Sequence, residues 1–358
     1  MVSSGVSHPP WYTRRSLVKA KYLTDIAKEY GLTTCSINWP ITAGADIDLN
    51  LPMILPFNYA GDPLPYYKKH ATASLVDRYL WKYAWLLPNL RVSLDLFTMM
   101  TALDILRDEG QPDVMLVKLC DLDSARHDQG VDSDAAHHTL AWHDKQFGVL
   151  LESIRRYGDM DRTHIVILGD HGQTDVERVF NFNRVLQDEG LQKLDAGGQL
   201  ADYDAYASSA GLSCWIQLKD PGNPTTCRKV YDLLLRHASD PDSVIDDVFT
   251  RTQAAEQLGL TGPFDFIIES RQPVSFSHIP SDDLFVKTKP GDYKTAMATH
   301  GGLPWRSHQT AFIAYGPHVQ SGVTIECARL IDEAPTMAYL LGFDMPGTDG
   351  RIIGEIIR

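Results

Sequence analysis

Two apolar runs of this chain end abruptly on acids and histidines. The strand-like Thr163–Gly169 stops on Asp170 and His171, followed by Gly172. Asp113–Cys120 gives way to Asp121, Asp123 and His127, and His300 stands just before two glycines. Short strands that stay apolar to their ends are buried on both faces, which calls for a parallel sheet covered by helices. Helical patterns fill the intervals at Ser16–Tyr30, Ala71–Leu87, Ser93–Glu109, Ser133–Tyr157 and Ile331–Leu341, with further strands at Leu32–Trp39 and Thr310–Tyr315. A loop rich in Pro and Asp is expected from Pro40 to about Tyr67. The expected fold class is α/β, a mostly parallel sheet sandwiched by helices.

Between Phe180 and about Asp292 the texture changes. LSCWIQL, a helical Thr225–His237, VIDDVFT and FDFIIES form a smaller β-α-β unit. This predicts a core made of residues 1–180 and 290–358, with 181–289 as an inserted α+β cap subdomain. The acidic stretch Asp240–Asp247 reads as a solvated turn.

Composition narrows the function. The 358 residues are 44% hydrophobic, enough for a sizeable core and too many for disorder. A net charge of -13 excludes the broad basic face of a general nucleic-acid binder. A phosphate-bearing substrate must then meet positive charge supplied locally, as metal ions supply it. Five cysteines, an odd number with no CxxC spacing, suit reduced thiols rather than a disulfide framework. No stretch is long and apolar enough to span a membrane, and the first residues lack the apolar segment of a signal peptide, so a cytoplasmic protein is expected.

In an open α/β sheet, ligands gather beyond the carboxyl ends of the strands. Asp123, His127, Asp170, His171 and His300 are expected to converge there. This mix of oxygen and nitrogen donors suits Zn²⁺, with Mn²⁺ as a substitute. Each motif alone is weak, since an Asp-His pair can be an ion pair or a helix cap. Three in sequence on strand ends outweigh that reading. Gly172, Gly301 and Gly302 would let backbone pass close to metal and substrate. Asp121 and His308 are expected beside the ligands, and Arg126 and Arg306 near enough to meet a phosphate. Trp39 and Thr42 are candidates for the border of a substrate pocket, although a loop packed on the core explains them equally well. His137, His138 and His143 read as helix surface.

The ordered set SINWPITAGADID (Ser36–Asp48), DLDSARHDQG (Asp121–Gly130), LGDHGQTD (Leu168–Asp175), ATHGGLP (Ala298–Pro304) and Ile331–Arg351 resembles the alkaline phosphatase superfamily, in its nucleotide pyrophosphatase/phosphodiesterase branch. The resemblance covers most of the chain. It implies an alkaline phosphatase-like fold, a small phosphate-ester substrate such as a nucleotide, and two metal ions, usually zinc, clamping an in-line phosphoryl displacement. It implies that Asp123, His127 and His300 are the complete ligand set of one metal, and Asp170 and His171 half the set of the other. The family's remaining acid and its Thr or Ser nucleophile precede the stretch matched by Ser36–Asp48. No Thr or Ser here has that context, Ser3, Ser4 and Thr13 included. The expectation is a phosphodiester or pyrophosphate hydrolase whose present chain is N-terminally shortened, lacks the nucleophile and holds about one metal. The alternatives are a phosphomonoesterase, phosphonate hydrolase or mutase of the same superfamily, or a catalytically silent protein that binds a single metal.

Overall fold

The computed structural model describes residues 12–53, 64–83, 85–86, 90–277, 283–291 and 296–358. Ser3 and Ser4 lie outside them. The chain divides into two compact units. One comprises His8–Leu122, Thr139–Asp170 and Ala311–Arg358. The other holds Asp123–His138 and His171–Thr310.

In the first unit, strands Leu49–Pro52, Thr34–Trp39 and Val114–Val117 form a parallel sheet in that spatial order. Two adjacent threonines pin its register. Thr34 donates its N–H and hydroxyl to Asp48, just before one neighbouring strand, at 2.9 and 2.8 Å. Thr33 donates both to Asp113, just before the other, at 2.8 and 2.7 Å. Helix Leu90–Asp108 contributes Phe97, Ala102 and Ile105 to a core with Cys35, Ile37, Leu51, Tyr67 and Tyr79. Fully burying side chains such as Phe97 and Ile105 stabilises the unit by roughly 1.5–3 kcal/mol each. A smaller cluster joins Leu23, Ile26 and Ala27 to Ala338 and Phe343.

Strand Ile165–Leu168 pairs antiparallel with Phe312–Tyr315. Among the described residues no backbone hydrogen bond ties it to Val114–Val117. Side chains tether their flanks instead. Ahead of them Gln111 Nε2 donates to Thr163 Oγ1 at 2.8 Å, and after them Lys118 Nζ donates to Asp170 Oδ2 at 2.6 Å. Both bridges link residues 52 apart.

Some expected elements differ. Leu49–Pro52 is a strand where a loop was expected, held by its parallel partner Thr34–Trp39. The helix expected at Ser16–Tyr30 begins only at Leu23, because the Asp25 carboxylate accepts the Tyr22 N–H at 2.7 Å and so fixes the helix start. Ala71–Leu87 is broken into a short Ala73–Leu75 helix and a π-helical turn at Val76–Leu80, with residues 84 and 87 outside the described set.

The second unit is built on an antiparallel sheet in the order Ile245–Thr250, Phe266–Ser270, Ser213–Leu218, Ala205–Ser209. Helix Pro224–Ser239 starts on Asn223, whose side chain accepts the N–H groups of Thr225 and Thr226 at 3.0 and 3.2 Å. It buries Val230, Leu233 and Leu234 in one core with Cys214, Ile216 and Ile268. A two-strand pairing, Ala298–Thr299 with Thr174–Asp175, lies in the same unit and carries the histidine segments. Together the two units make a mixed α/β chain. Among the described residues no helix is long and apolar enough to cross a membrane.

Candidate metal centre

The strand preceding Asp121 ends at Val117, three residues before the expected end at Cys120, and helix Asp121–Gln129 follows. The cause is Asp95. Its buried carboxylate accepts the N–H of Cys120 at 2.6 Å and of Asp121 at 2.8 Å, supplying acceptors where a new helix has none of its own. Asp123 and His127 are thus an i,i+4 pair on one helical face.

Three imidazoles gather around one carboxylate oxygen. From Asp123 Oδ1, the Nε2 atoms of His127, His171 and His300 lie 3.4, 4.0 and 4.0 Å away. The rings of His171 and His300 stack at 3.6 Å with 18° between their planes, and His127 sits 5.2 Å from His300. Donor atoms of Asp123, His127 and His300 all lie within 4.8 Å of one another. His127 Nδ1 is 2.6 Å from the Ala298 carbonyl. A carbonyl only accepts, so Nδ1 carries the hydrogen and the Nε2 lone pair is left for the cluster. Gln173 Nε2 donates to Asp123 Oδ1 at 3.0 Å and holds that carboxylate in place.

The charges agree with the geometry. Burial opposes ionisation of Asp123, but the hydrogen bond from His127 and the nearby charges of His127, His300 and His171 hold its carboxyl below the usual range. Burial likewise opposes protonation of His127, yet Asp123 and the Ala298 carbonyl raise its affinity for a proton. A divalent cation would take the place of that proton.

The backbone stitches these segments together. Met297 N–H donates to the His127 carbonyl at 2.8 Å, and Val131 N–H to Asp175 Oδ1 at 2.7 Å. Two glycines have reasons that the sequence reading assigned elsewhere. A Cβ on Gly172 would lie 1.9 Å from the His308 carbonyl oxygen. One on Gly301, at φ +86°, would lie 1.8 Å from the Ala210 carbonyl oxygen. In both cases protein backbone demands the glycine.

The remaining candidates fall in different places. Asp170 lies in the first unit and accepts from Lys118. Asp121 is also there, and its carboxyl is pushed up to about 7 by burial and the neighbouring Asp95, with His143 acting the other way. His143, read as helix surface, instead places Nε2 2.8 Å from Asp95 with its side chain 15% exposed. His308 contributes its carbonyl over Gly172. Arg126 is half-buried one residue before His127, and its Nε has no hydrogen-bond partner among the described residues. Arg306 is engaged by Asp246 and by Asp247, at 2.5 Å to the latter, so these two acids are partners rather than part of a solvated turn. Thr42 is fully buried and donates its hydroxyl to the Trp39 carbonyl at 2.9 Å, closing a turn rather than bordering a pocket. Thr13 lends its carbonyl to the Ala43 N–H.

Sequence reasoning missed Asp95, Gln173 and the Ala298 carbonyl. Gln173 stood within the quoted DHGQTD. Asp95 was visible as a lone acid in the apolar helix stretch VSLDLF.

A family model for type I phosphodiesterase / nucleotide pyrophosphatase matches residues 3–287. Comparison with curated proteins gave no match. Among solved structures, human ectonucleotide pyrophosphatase/phosphodiesterase 5 superposes with a TM-score of 0.61 at 15% identity, over 93% of this chain and 73% of its own. An inactive form of the murine protein in complex with AMP gives 0.60 at 15% identity, over 92% and 73%. Phosphonoacetate hydrolase from Sinorhizobium meliloti in complex with phosphonoacetate gives 0.58 at 15% identity, over 87% and 72%. These likenesses show an alkaline phosphatase-like fold. With the family model spanning most of its length, this chain belongs to the type I phosphodiesterase / nucleotide pyrophosphatase family.

Proposed function

We propose that this chain is a metal-dependent hydrolase of phosphodiester or pyrophosphate bonds, acting on a small phosphate ester such as a nucleotide. One observation carries the reading: three imidazole Nε2 atoms converge on Asp123 Oδ1, and His127 is fixed in the tautomer that leaves its Nε2 lone pair for the cluster. Two ligands about 2.1 Å from a tetrahedral zinc stand about 3.4 Å apart. The separations of 3.4 to 4.0 Å here need only small side-chain adjustments to fit it.

Asp123, His127 and His300 would hold one cation, and Asp170 with His171 would contribute to a second. When bound, such a cation supplies Lewis-acid polarisation of phosphoryl oxygens and offsets their charge. The chain itself does the positioning. Gln173 orients Asp123, Ala298 orients His127, and Lys118 balances the charge of Asp170. Segment 181–289 is proposed to act as the inserted cap that shapes the substrate side. The engagement of Arg306 with two acids takes up one of the two arginines, Arg126 being the other, that could supply the additional positive group a dianionic monoester calls for, and to that extent favours a diester.

Metal content by mass spectrometry tests the site. Zinc bound by the parent chain and lost in His127→Ala is expected, whereas a parent chain that retains no zinc overturns the reading. Hydrolysis of bis-p-nitrophenyl phosphate against p-nitrophenyl phosphate, with Zn²⁺ or Mn²⁺ added, tests the preference. Turnover of the monoester alone would transfer the assignment to a phosphomonoesterase.

A further inference from the structure

The segment that carries His300 is gripped along its length by the four-stranded antiparallel sheet of its own unit. The His300 carbonyl accepts the N–H of Leu212 at 3.1 Å, and the Gly301 carbonyl accepts the Ser213 hydroxyl at 2.6 Å. Leu303 N–H donates to Glu269 Oε1 at 2.9 Å. Arg306 follows, paired with Asp246 and Asp247, and its carbonyl accepts from the Gln272 side chain. The sheet, with Leu212 just before its strand Ser213–Leu218, thus reaches four residues of a seven-residue stretch.

Glu269 stands out among these contacts. It is 1% exposed, on strand Phe266–Ser270, and its second oxygen has no hydrogen-bond partner. A buried carboxyl with a half-used acceptor set costs stability, so its presence calls for an explanation. Here its bonded oxygen faces the backbone three residues beyond His300 and lies close against Gly302.

We propose that Glu269 is a positioning residue for the metal centre, fixing the His300 imidazole through the Leu303 N–H. The inference rests on the proposed function insofar as it concerns a metal. The groups that face Glu269 are Arg306, which favours its charged form, and Asp246 and Asp247, which disfavour it. Groups outside the ligand set that orient a metal ligand are worth about 10–100-fold in metal affinity.

Zn²⁺ affinity, measured on the full chain by competition with a chromophoric chelator, tests this. Glu269→Ala should weaken zinc binding about 10-fold. Glu269→Gln, whose amide oxygen still accepts from Leu303, should stay within about threefold of the parent. Ser213→Ala removes a second grip at a partly exposed position and should weaken binding by a smaller factor, so the idea does not depend on one buried variant folding. A role confined to stability would not produce rescue by Gln at equal zinc saturation. Parent-like zinc affinity in both Glu269→Ala and Ser213→Ala would overturn the proposal. Should the parent bind no zinc, the metal reading fails separately. Leu303 amide exchange and the His300 ring resonances of the metal-free chain then decide, and finding them unchanged in Glu269→Ala overturns the positioning role.

Discussion

Two clusters in this chain pair an acid with histidine, and they differ in what else the acid touches. Asp95 is completely buried, and its two oxygens accept from Cys120 N–H, Asp121 N–H and His143. Those three bonds and its complete burial close it off from further partners, so the pair can do little but hold the start of a helix. Asp123 has its side chain 42% exposed and is met by Gln173 and three imidazoles at 3.4 to 4.0 Å. The same two residue types thus make a fastening in one place and a receptive site in the other. The number of hydrogen bonds already made decides which, and the identity of the residues does not.

The sharpest way to break the comparison is to remove each acid. Asp95→Ala should destabilise the chain by about 3–5 kcal/mol, because it orphans His143 and two backbone donors, and chemical denaturation would show it. Asp123→Ala should leave the unfolding midpoint close to the parent and abolish zinc retention. If the two variants behave alike, the distinction is wrong. Next in size, His127→Ala and His300→Ala should each lower zinc affinity by more than about 100-fold in a competition assay, since they remove a donor itself rather than a group that orients one.

A pH effect sharpens the contrast from a third acid. Burial pushes the Glu269 carboxyl up to about 7, against an ordinary value of 4.5. A raised folded-state value means that the folded chain holds the proton more tightly. Stability is therefore fully present below about 4.5 and is lost as pH rises through about 7. Glu269→Gln should be more stable than the parent at pH 8, with the difference shrinking to nothing near pH 4, as thermal melts across that range would report. The smallest effect belongs to His137, whose pair with Asp132 is exposed. His137→Ala should change stability by about 0–1 kcal/mol and leave zinc binding alone.

The residues that meet at Asp123 were legible because each carries a local pattern: an acid and a histidine four apart, an Asp-His-Gly, a His-Gly-Gly. Their supports were not. Asp95 reaches residues 25 and 26 positions away, Ser213 reaches Gly301 across 88, and Glu269 reaches Leu303 across 34. Nothing in a local window announces such pairs. The fold shows the same split. Helix Ser133–Tyr157 was expected, and Asp134–Tyr157 is observed, because a long amphipathic stripe is a local signal. The early end of the strand before Asp121 was missed, because it is imposed by a carboxylate from another helix. Arg306 misled for a related reason. Its nearness in sequence to His300 suggested a phosphate ligand, while two acids some sixty residues earlier take its guanidinium.

The two strands held 52 residues apart also have a mechanical character. A backbone ladder is stiff, because its spacing is set by peptide geometry. Val114–Val117 and Ile165–Leu168 are joined at both ends by side chains instead, a glutamine to a threonine and a lysine to an aspartate. Such tethers act as springs whose rest length is the length of a side chain. At the far end the reach of Lys118 therefore sets the spacing, and shortening that side chain would break its hold on Asp170.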